Sequence, residues 1–412
     1  MKTLAAAGAL ALSLAAVSAW ADEPDGLKLP KGFHATVVAD SIPGLRHIAV
    51  RDNGDLYIST RPARGAASTG IIAVHMNPDG QVVSTEHFGK IDGGTGIRFY
   101  KGDLYASTVT GIYKFGFKGD AVLPAGDPAV VVDGMPAGGQ ANRVIALDDK
   151  GGLYVGVGGS GNICNDPNAP KGSKPIGLTP CPGLVGRGGV WKFDATKTGQ
   201  KFADGEQIAT GLRDMDGLDY RKGDALYGTM HDRNGTSVTW PDLVSAEDEK
   251  NIADELHRLT KGANMGWPTT YYDGKRKIRL IAPEYGGDGK KEAKKGEFAT
   301  PVYAFAGHSA PLDLLFYNGK SFPKAYQGGA FVALHGAGAP YNVLFLPFSG
   351  KGKVGKPVLF ADGFTAAPGP DGKPVAGGNA FKPVGLAVAP DGSLYVGDGQ
   401  KGKVWKITYT GK

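Results

Sequence analysis

One phrase recurs six times along this chain, and a repeat of this kind constrains the architecture before any single residue does. It is a short apolar strand, a turn built on Gly or Asp, and a second strand reading Leu-Tyr-Val or similar. The copies are IAVRDNGDLYIST (Ile48–Thr60), GIRFYKGDLYAST (Gly96–Thr108), VIALDDKGGLYVGVG (Val144–Gly158) and GLDYRKGDALYGTM (Gly217–Met230). A looser copy spans Leu314–Gly336, and the last is GLAVAPDGSLYVGDG (Gly385–Gly399). Alternating β-branched and aromatic residues around a Gly or Asp-Gly turn predict a β-hairpin in each. Tyr57, Tyr105 and Tyr154 recur at an interval of about 50 residues, the span of one four-stranded propeller blade. Tyr227, Phe331 and Tyr395 follow at wider gaps, so the later blades carry insertions. The prediction is an all-β, six-bladed β-propeller, whose closed ring leaves no free sheet edge and gathers its loops at the ends of a central channel. The strands FHATVVAD (Phe33–Asp40) and GKVWKITYT (Gly402–Thr410) are expected to share one blade and close the ring.

The N-terminus reads as a secretory signal peptide over residues 1–21. It has a basic start at Lys2, an apolar run Leu4–Val17 and a small-x-small site Ala19-Trp20-Ala21. Residues 22–412 are then the propeller, with a short helical insertion between blades, exported to the periplasm or secreted. No later stretch is long and apolar enough to span a bilayer. The formal charge of +6 is mild and sits largely in the loops Lys290–Lys295 and Lys351–Lys356, so nucleic acid is not implied. A periplasmic electron acceptor is a conceivable partner. The two cysteines, Cys164 and Cys181, flank a Pro-, Gly- and Asn-rich segment, and a disulfide closing it is expected in an oxidising compartment. The largest interruption of the repeat, His231 to Thr300, holds a polar loop and then ADELHRLTKG (Ala253–Gly262), read as a short helix ended by Gly262. On that reading Asp254 and Glu255 are acidic residues at a helix N-terminus. The glycine-rich run Gly158–Gly161 precedes no helix and reads as a tight loop at the channel mouth.

Several phrases resemble the soluble quinoprotein glucose/sorbosone dehydrogenases, and the sorbosone dehydrogenase branch in particular. They are GGVWKFDA (Gly188–Ala195), IATGLRDMDGL (Ile208–Leu218), DELHRLTKGANMGWPTTYYD (Asp254–Asp273), GHSAPLDLLFYNGKSFPKAYQGGAFVALHG (Gly307–Gly336) and FKPVGLAVAPDGSLYVGD (Phe381–Asp398). The resemblance implies a six-bladed propeller that holds pyrroloquinoline quinone (PQQ) and calcium. It implies oxidation of an aldose or sorbosone-like aldehyde by hydride transfer to the quinone. A tricarboxylate cofactor calls for Arg and Lys, and calcium for carboxylate and carbonyl oxygens.

Carried over residue by residue, the family's base histidine falls on Gln140 in GGQANR, while Arg143 matches the family arginine. Arg213 matches as well, with Asp214 in place of an amide. The loop His231-Asp232-Arg233-Asn234 implies a cofactor contact at Arg233 and a metal ligand at Asp232. The loop after His335 ends on Pro340 where the family has Arg, and Lys382 stands at another family arginine. Gln140 is no general base near neutral pH, so His231, His308 and His335 are the candidates to replace it. Two other functions use the same funnel. One is a cofactor-free propeller that binds a sugar or other small ligand. The other is a calcium-dependent, lactonase-like hydrolase with Asp214, Asp216 and Asp232 round one metal.

Overall fold

The computed structural model describes residues 20–61, 70–77, 79–89, 93–166, 168–170, 172–336, 341–364 and 380–411. The expected signal peptide lies almost wholly outside them, as does Pro340. Six sheets follow one another round an axis, antiparallel except for a short fifth strand that joins the edge of blade 2 and of blade 3 in parallel. Each predicted hairpin supplies the two inner strands of one sheet. Blade 1 begins with Leu45–Val50 and Leu56–Thr60, blade 2 with Gly93–Tyr100 and Asp103–Thr108, and blade 3 with Ile145–Leu147 and Gly152–Val157. Blade 4 begins with Asp214–Tyr220 and Leu226–His231, blade 5 with Pro311–Phe316 and Ala330–Leu334, and blade 6 with Pro383–Val388 and Leu394–Asp398. The ring closes as expected: Phe33–Ala39 pairs with Val404–Tyr409, so the first long strand completes the last blade.

The core is not one mass but six wedges, each shared by two neighbouring blades. Ile48, Ile58 and Ile72 of blade 1 pack on Val384, Tyr395 and Val404 of blade 6. Tyr57 and Ala73 of blade 1 pack on Ile97, Leu104 and Phe115 of blade 2. A strand covered on both faces needs no polar side, so Leu56–Thr60 is buried throughout. The repeated tyrosines gain a purpose here. Tyr57 donates across the wedge to the Val122 carbonyl at 2.7 Å, and Tyr105 to the Ala195 carbonyl at 2.8 Å. Tyr227 accepts from the Gly352 amide at 2.9 Å. A buried aromatic body with one satisfied hydroxyl ties each blade to the next at small polar cost.

The interruption after His231 differs from the sequence reading. Asp254–Leu259 is a strand, the third of blade 4, paired to Leu226–His231 and to Tyr303–Phe305. Its central residues alternate well enough for period two, and the two sheet neighbours decide the matter over helix propensity. The helical insertion exists, but earlier, as two single turns at Thr236–Thr239 and Ala246–Glu249. Glu249 caps the first by accepting from the amides of Thr236 and Ser237 at 3.2 and 2.7 Å. A hairpin, Thr270–Asp273 with Ile278–Ile281, fills the connection to the fourth strand. The disulfide Cys164–Cys181 is formed and closes the blade 3 loop.

Candidate functional site

Five of the six innermost strands carry a register irregularity near the start. The breaks fall at Leu45/Ile48, Gly93/Ile97, Met215/Gly217, Pro311/Asp313 and Pro383/Gly385. A bulge turns the extra residue out of the alternation and re-aims its side chain. The residues within these breaks include Arg46, His47, Thr95, Asp216, Leu312 and Val384. All six line one cavity of about 250 Å³ together with Arg61, Asn142, Asp214, His231 and His335. Every blade thus contributes, which places the cavity on the axis. Gly217 and Gly385 lie just after two of the bulges; a Cβ there would meet the next blade's backbone at 2.7 and 2.4 Å, so the inner strands can converge only without one. Beside His47 the axis is plugged. His47 Nε2 donates to the Leu312 carbonyl at 2.8 Å, and Arg98 Nη2 pairs with Asp313 Oδ1 at 3.1 Å. A roomier cleft of about 560 Å³ lies away from the axis against blade 2. It is lined by Phe88, Tyr113, Phe115 and prolines, with Asp127 its one carboxylate, and it holds no comparable set of charges.

Blade 4 supplies the acidic wall. Asp214 and Asp216 are 9 % and 4 % exposed. Asn142 Nδ2 donates to Asp214 Oδ1 at 3.4 Å and makes a short hydrogen bond to Asp216 Oδ1. Arg61 Nη1 holds the Asn142 oxygen at 2.6 Å. With its amide oriented to satisfy both neighbours, Gln140 donates to Asp214 Oδ2 at 3.0 Å and accepts from Arg213 Nη2 at 3.3 Å. Gly158 makes room for it, since a Cβ there would lie 2.5 Å from the Gln140 Cβ. Burial pushes the Asp214 carboxyl up from the usual aspartate range. Burial and the neighbouring Asp214 charge push Asp216 up to about 8.

His231 sits across from this pair with Nδ1 3.1 Å from Asp254. Burial alone would favour its neutral form, but the Asp254 carboxylate, then Asp216, outweigh it and raise the imidazole to about 9. Asp254 is fixed in turn by the Asp232 and Ala310 amides at 3.0 and 2.7 Å. The Asp254 contact favours the imidazolium form at neutral pH, which weakens His231 as a candidate base.

Facing it, and flanking it at Arg213, are basic groups with unspent hydrogen-bonding capacity. Among the described residues Arg46 makes no hydrogen bond or ion pair, and burial followed by Arg61 lowers its pKa from the usual arginine value. His335 Nδ1 is buried with no partner, and burial, then Arg46 and Lys382, push that imidazole down to about 4. Lys382 Nζ lies 5.2 Å over the Tyr341 ring. Arg213 gives Nη1 to the carbonyls of His231 and Asp232 at 3.1 and 2.9 Å, but its buried Nε is unpartnered.

The sequence-derived candidates thus divide. Gln140, Arg213, Asp214, His231, His335 and Lys382 meet at or around the cavity. Arg143 does not face it: its guanidinium is spent on the main-chain carbonyls of Val109, Gln140, Asn142 and Pro136 at 2.7–3.0 Å. It shapes the loop that carries Gln140 and Asn142. Arg233 is buried in a two-pronged pair with Glu284, 2.7 and 2.9 Å, anchoring the insertion rather than a cofactor. Asp232 Oδ1 accepts from the Arg233 amide at 2.7 Å, and Oδ2 is buried without a partner. Among the described residues no three His, Cys, Asp or Glu side chains are placed to hold a metal ion, so no ligand set forms round Asp232. His308 bonds Asn234 at 2.8 Å and lies 6.4 Å, ring to ring, from His231, outside the cavity lining. Asp254 is not a helix-start acid but the partner of His231. Arg46, Arg61, Thr95 and Asn142 were missed. Aligning the inner strands on Ile48, Ile97, Leu218, Leu314 and Leu386 would have found Arg46 and Thr95, which stand two residues earlier in the same column as Asp216.

A six-bladed propeller with a charged axial cavity is the class that fold and site define. Residues 27–410 match the family described as TrAA12-like, and the chain belongs to that family. Its fold is similar to that of the holo PQQ domain of pyranose dehydrogenase from Coprinopsis cinerea, at 18 % identity and a TM-score of 0.70 over 93 % of this chain and 97 % of that one. It is also similar to the calcium structure of the Trichoderma reesei carbohydrate-active enzyme of family AA12, at 17 % identity and 0.70 over 93 % and 96 %. A third likeness is the PQQ-bound aldose sugar dehydrogenase of Streptomyces coelicolor, at 16 % identity and 0.56 over 93 % and 100 %. A curated protein of Borreliella burgdorferi is 26 % identical over 211 residues, which span 50 % of this chain and about half (49 %) of that protein. Among the described residues no helix is long and apolar enough to cross a membrane.

Proposed function

We propose that this chain is an exported oxidoreductase that uses PQQ to oxidise a sugar or a sorbosone-like aldehyde in its axial cavity. The observation that carries the proposal is the unpartnered basic wall. Arg46, which makes no hydrogen bond or close ion pair among the described residues, and His335, whose Nδ1 is unpartnered, line one space, and the orphaned Arg213 Nε lies beside it. A half-buried cation with no direct partner is a liability to the folded protein, and a site that keeps one suits an anionic ligand. PQQ is a flat tricarboxylate, and these donors fit it. The acidic pair on the facing wall is compatible with a polyanion because burial keeps it partly protonated near neutral pH. Similarity to PQQ-bound relatives supports the same cofactor.

In this reading Arg46 and Lys382 hold cofactor carboxylates, and Arg213 Nε donates to a cofactor oxygen. When bound, PQQ supplies a quinone that takes up two electrons. His335 stays neutral and positions a hydroxyl or carbonyl by a single hydrogen bond. The calcium expected beside the cofactor finds no set of three such ligands among the described residues, and no step passes through it.

The experiment is a titration of purified protein with PQQ, followed by absorbance, and then dye reduction over a panel of aldoses, uronates, polyols and aldehydes. Saturable binding with PQQ-dependent dye reduction is expected. Binding without reduction would remove the cofactor-free alternative and leave the oxidoreductase reading without support. Absence of both overturns the proposal.

A further inference from the structure

Two consecutive carbonyl oxygens, those of His231 and Asp232, meet at a single atom, Arg213 Nη1, at 3.1 and 2.9 Å. Main-chain oxygens that converge at the end of a strand offer a seat to a cation. Here a guanidinium takes it. Arg213 is 5 % exposed, and its main chain is held on both sides. Its carbonyl accepts from the Gly159 amide at 2.6 Å, and its amide donates to the Met230 sulfur at 3.3 Å. The other hard oxygens nearby are also engaged by N–H groups. Asp214 accepts from Asn142 and Gln140, and Asp216 from Asn142. Asp254 serves His231 and the amides of Asp232 and Ala310. Asp232 Oδ1 serves the Arg233 amide. A calcium ion takes about six to eight oxygens. To use the carbonyl pair it would have to lie against a positive charge in a site removed from water.

We propose that Arg213 is the resident cation of the axial site: its guanidinium holds the place at the His231 and Asp232 carbonyls that a divalent cation would otherwise take, and the cavity receives its anionic ligand without calcium. The identity of that ligand, PQQ, rests on the oxidoreductase reading above; the absence of a metal requirement departs from what the family resemblance implies. An arginine in this place supplies part of what a metal supplies. It is a fixed positive charge beside the cavity, with planar N–H donors suited to carboxylate or carbonyl oxygens. One of those donors, Nε, is still unspent. Unlike a metal, the guanidinium needs no loading and no chelator removes it, so the cofactor-free cavity already carries its charge.

The test compares chelator with millimolar calcium on the wild-type protein. PQQ titrated by absorbance should give dissociation constants within about twofold of each other in the two buffers, and the melting temperature of the cofactor-free protein should be the same in both. Affinity higher by about tenfold or more in calcium, or a melting temperature raised by calcium alone, overturns the proposal. Arg213→Ala is the sharper arm, because it empties the seat. In chelator its PQQ affinity should fall by about tenfold or more. Calcium should now raise its melting temperature and recover part of that loss. A folded Arg213→Ala protein that ignores calcium shows that the carbonyl pair is no cation seat and overturns the assignment. If the variant does not fold, the wild-type arms decide. PQQ that binds only with calcium removes this proposal and leaves the oxidoreductase reading intact. A wild type that binds no PQQ in either buffer removes that reading, while the melting curves with calcium still test the seat.

Discussion

On the blade 4 wall of the cavity the buried charges have been given partners. Asp214 has Gln140 and Asn142, Asp216 has Asn142, and His231 has Asp254. On the wall made by blades 1, 5 and 6, His335 Nδ1 has none, and Arg46 meets the Asp214 and Asp216 charges only across the cavity, with no hydrogen bond among the described residues. The acidic pair is more deeply buried than the basic wall, where Arg46 and His335 are only partly covered. The difference separates two tasks. A side chain that must hold or move a proton at a fixed atom needs its orientation set beforehand, and the amides on the acidic wall do that. A side chain that receives a charged ligand does better with its hydrogen-bonding capacity unspent, because any internal partner would have to be displaced.

The comparison can be broken most sharply at Arg46. Arg46→Met should weaken PQQ binding by about 2–5 kcal/mol, the cost of leaving a buried ligand carboxylate without its cation. Calorimetry or absorbance titration reads this directly. The same substitution should raise the melting temperature of the cofactor-free protein, by about 1 kcal/mol of added stability, because a half-buried charge with no hydrogen-bonded partner is replaced by an apolar chain of similar length. If Arg46→Met instead destabilises the apo protein, the basic wall is structural and the contrast fails.

Next in size is the dependence of stability on pH through the acidic pair. Asp216 is raised to about 8 in the folded protein, so the folded state binds more protons than the unfolded one between the ordinary aspartate value and that pH. Stability from this source should therefore fall as pH rises across that window. Asp216→Asn should flatten the fall by on the order of 2 kcal/mol at the alkaline end, as measured by urea unfolding at a series of pH values.

His231 runs the other way. Its folded pKa is raised to about 9, so its contribution is fully present below the ordinary histidine value and is lost as pH climbs through about 9. Asp254→Asn should lower the His231 midpoint by more than one unit, seen by NMR of the imidazole, and reduce stability at neutral pH by about 1 kcal/mol. An unmoved midpoint would show that Asp254 serves only the Asp232 and Ala310 amides.

The smallest effect is expected at Lys382, the more flexible cation. Lys382→Met should weaken PQQ binding by about 1 kcal/mol and leave the apo melting temperature unchanged. A loss equal to that of Arg46→Met would mean that the two cations act as one clamp.

Much of the ring was legible because its signals are local. A turn such as that after Val50 or Val388 needs nothing beyond its own few residues, and the Leu-Tyr phrase marks the strand that follows. Ring closure by Phe33–Ala39 and the Cys164–Cys181 bridge were also readable, the first from strand pattern at both ends and the second from composition. The site was legible only in outline. Arg143 and Arg233 stood at the expected positions, yet the first turns to main-chain carbonyls and the second to Glu284. Asp254–Leu259 read as a helix because a short stretch of alternating charge and leucine satisfies either period until its neighbours are known.

The sequence alone determined that six hairpins would form and close, since turn chemistry and strand alternation act over a few residues and do not depend on the rest of the chain. Only the tertiary structure decided which side chains share the axis. That choice was made by bulges near the start of the inner strands, where side-chain alternation is broken. It was fixed by the balance of burial against charge among residues as distant as Arg46, Asn142, Asp216 and His335, whose electrostatic energies exist only once the ring brings them together.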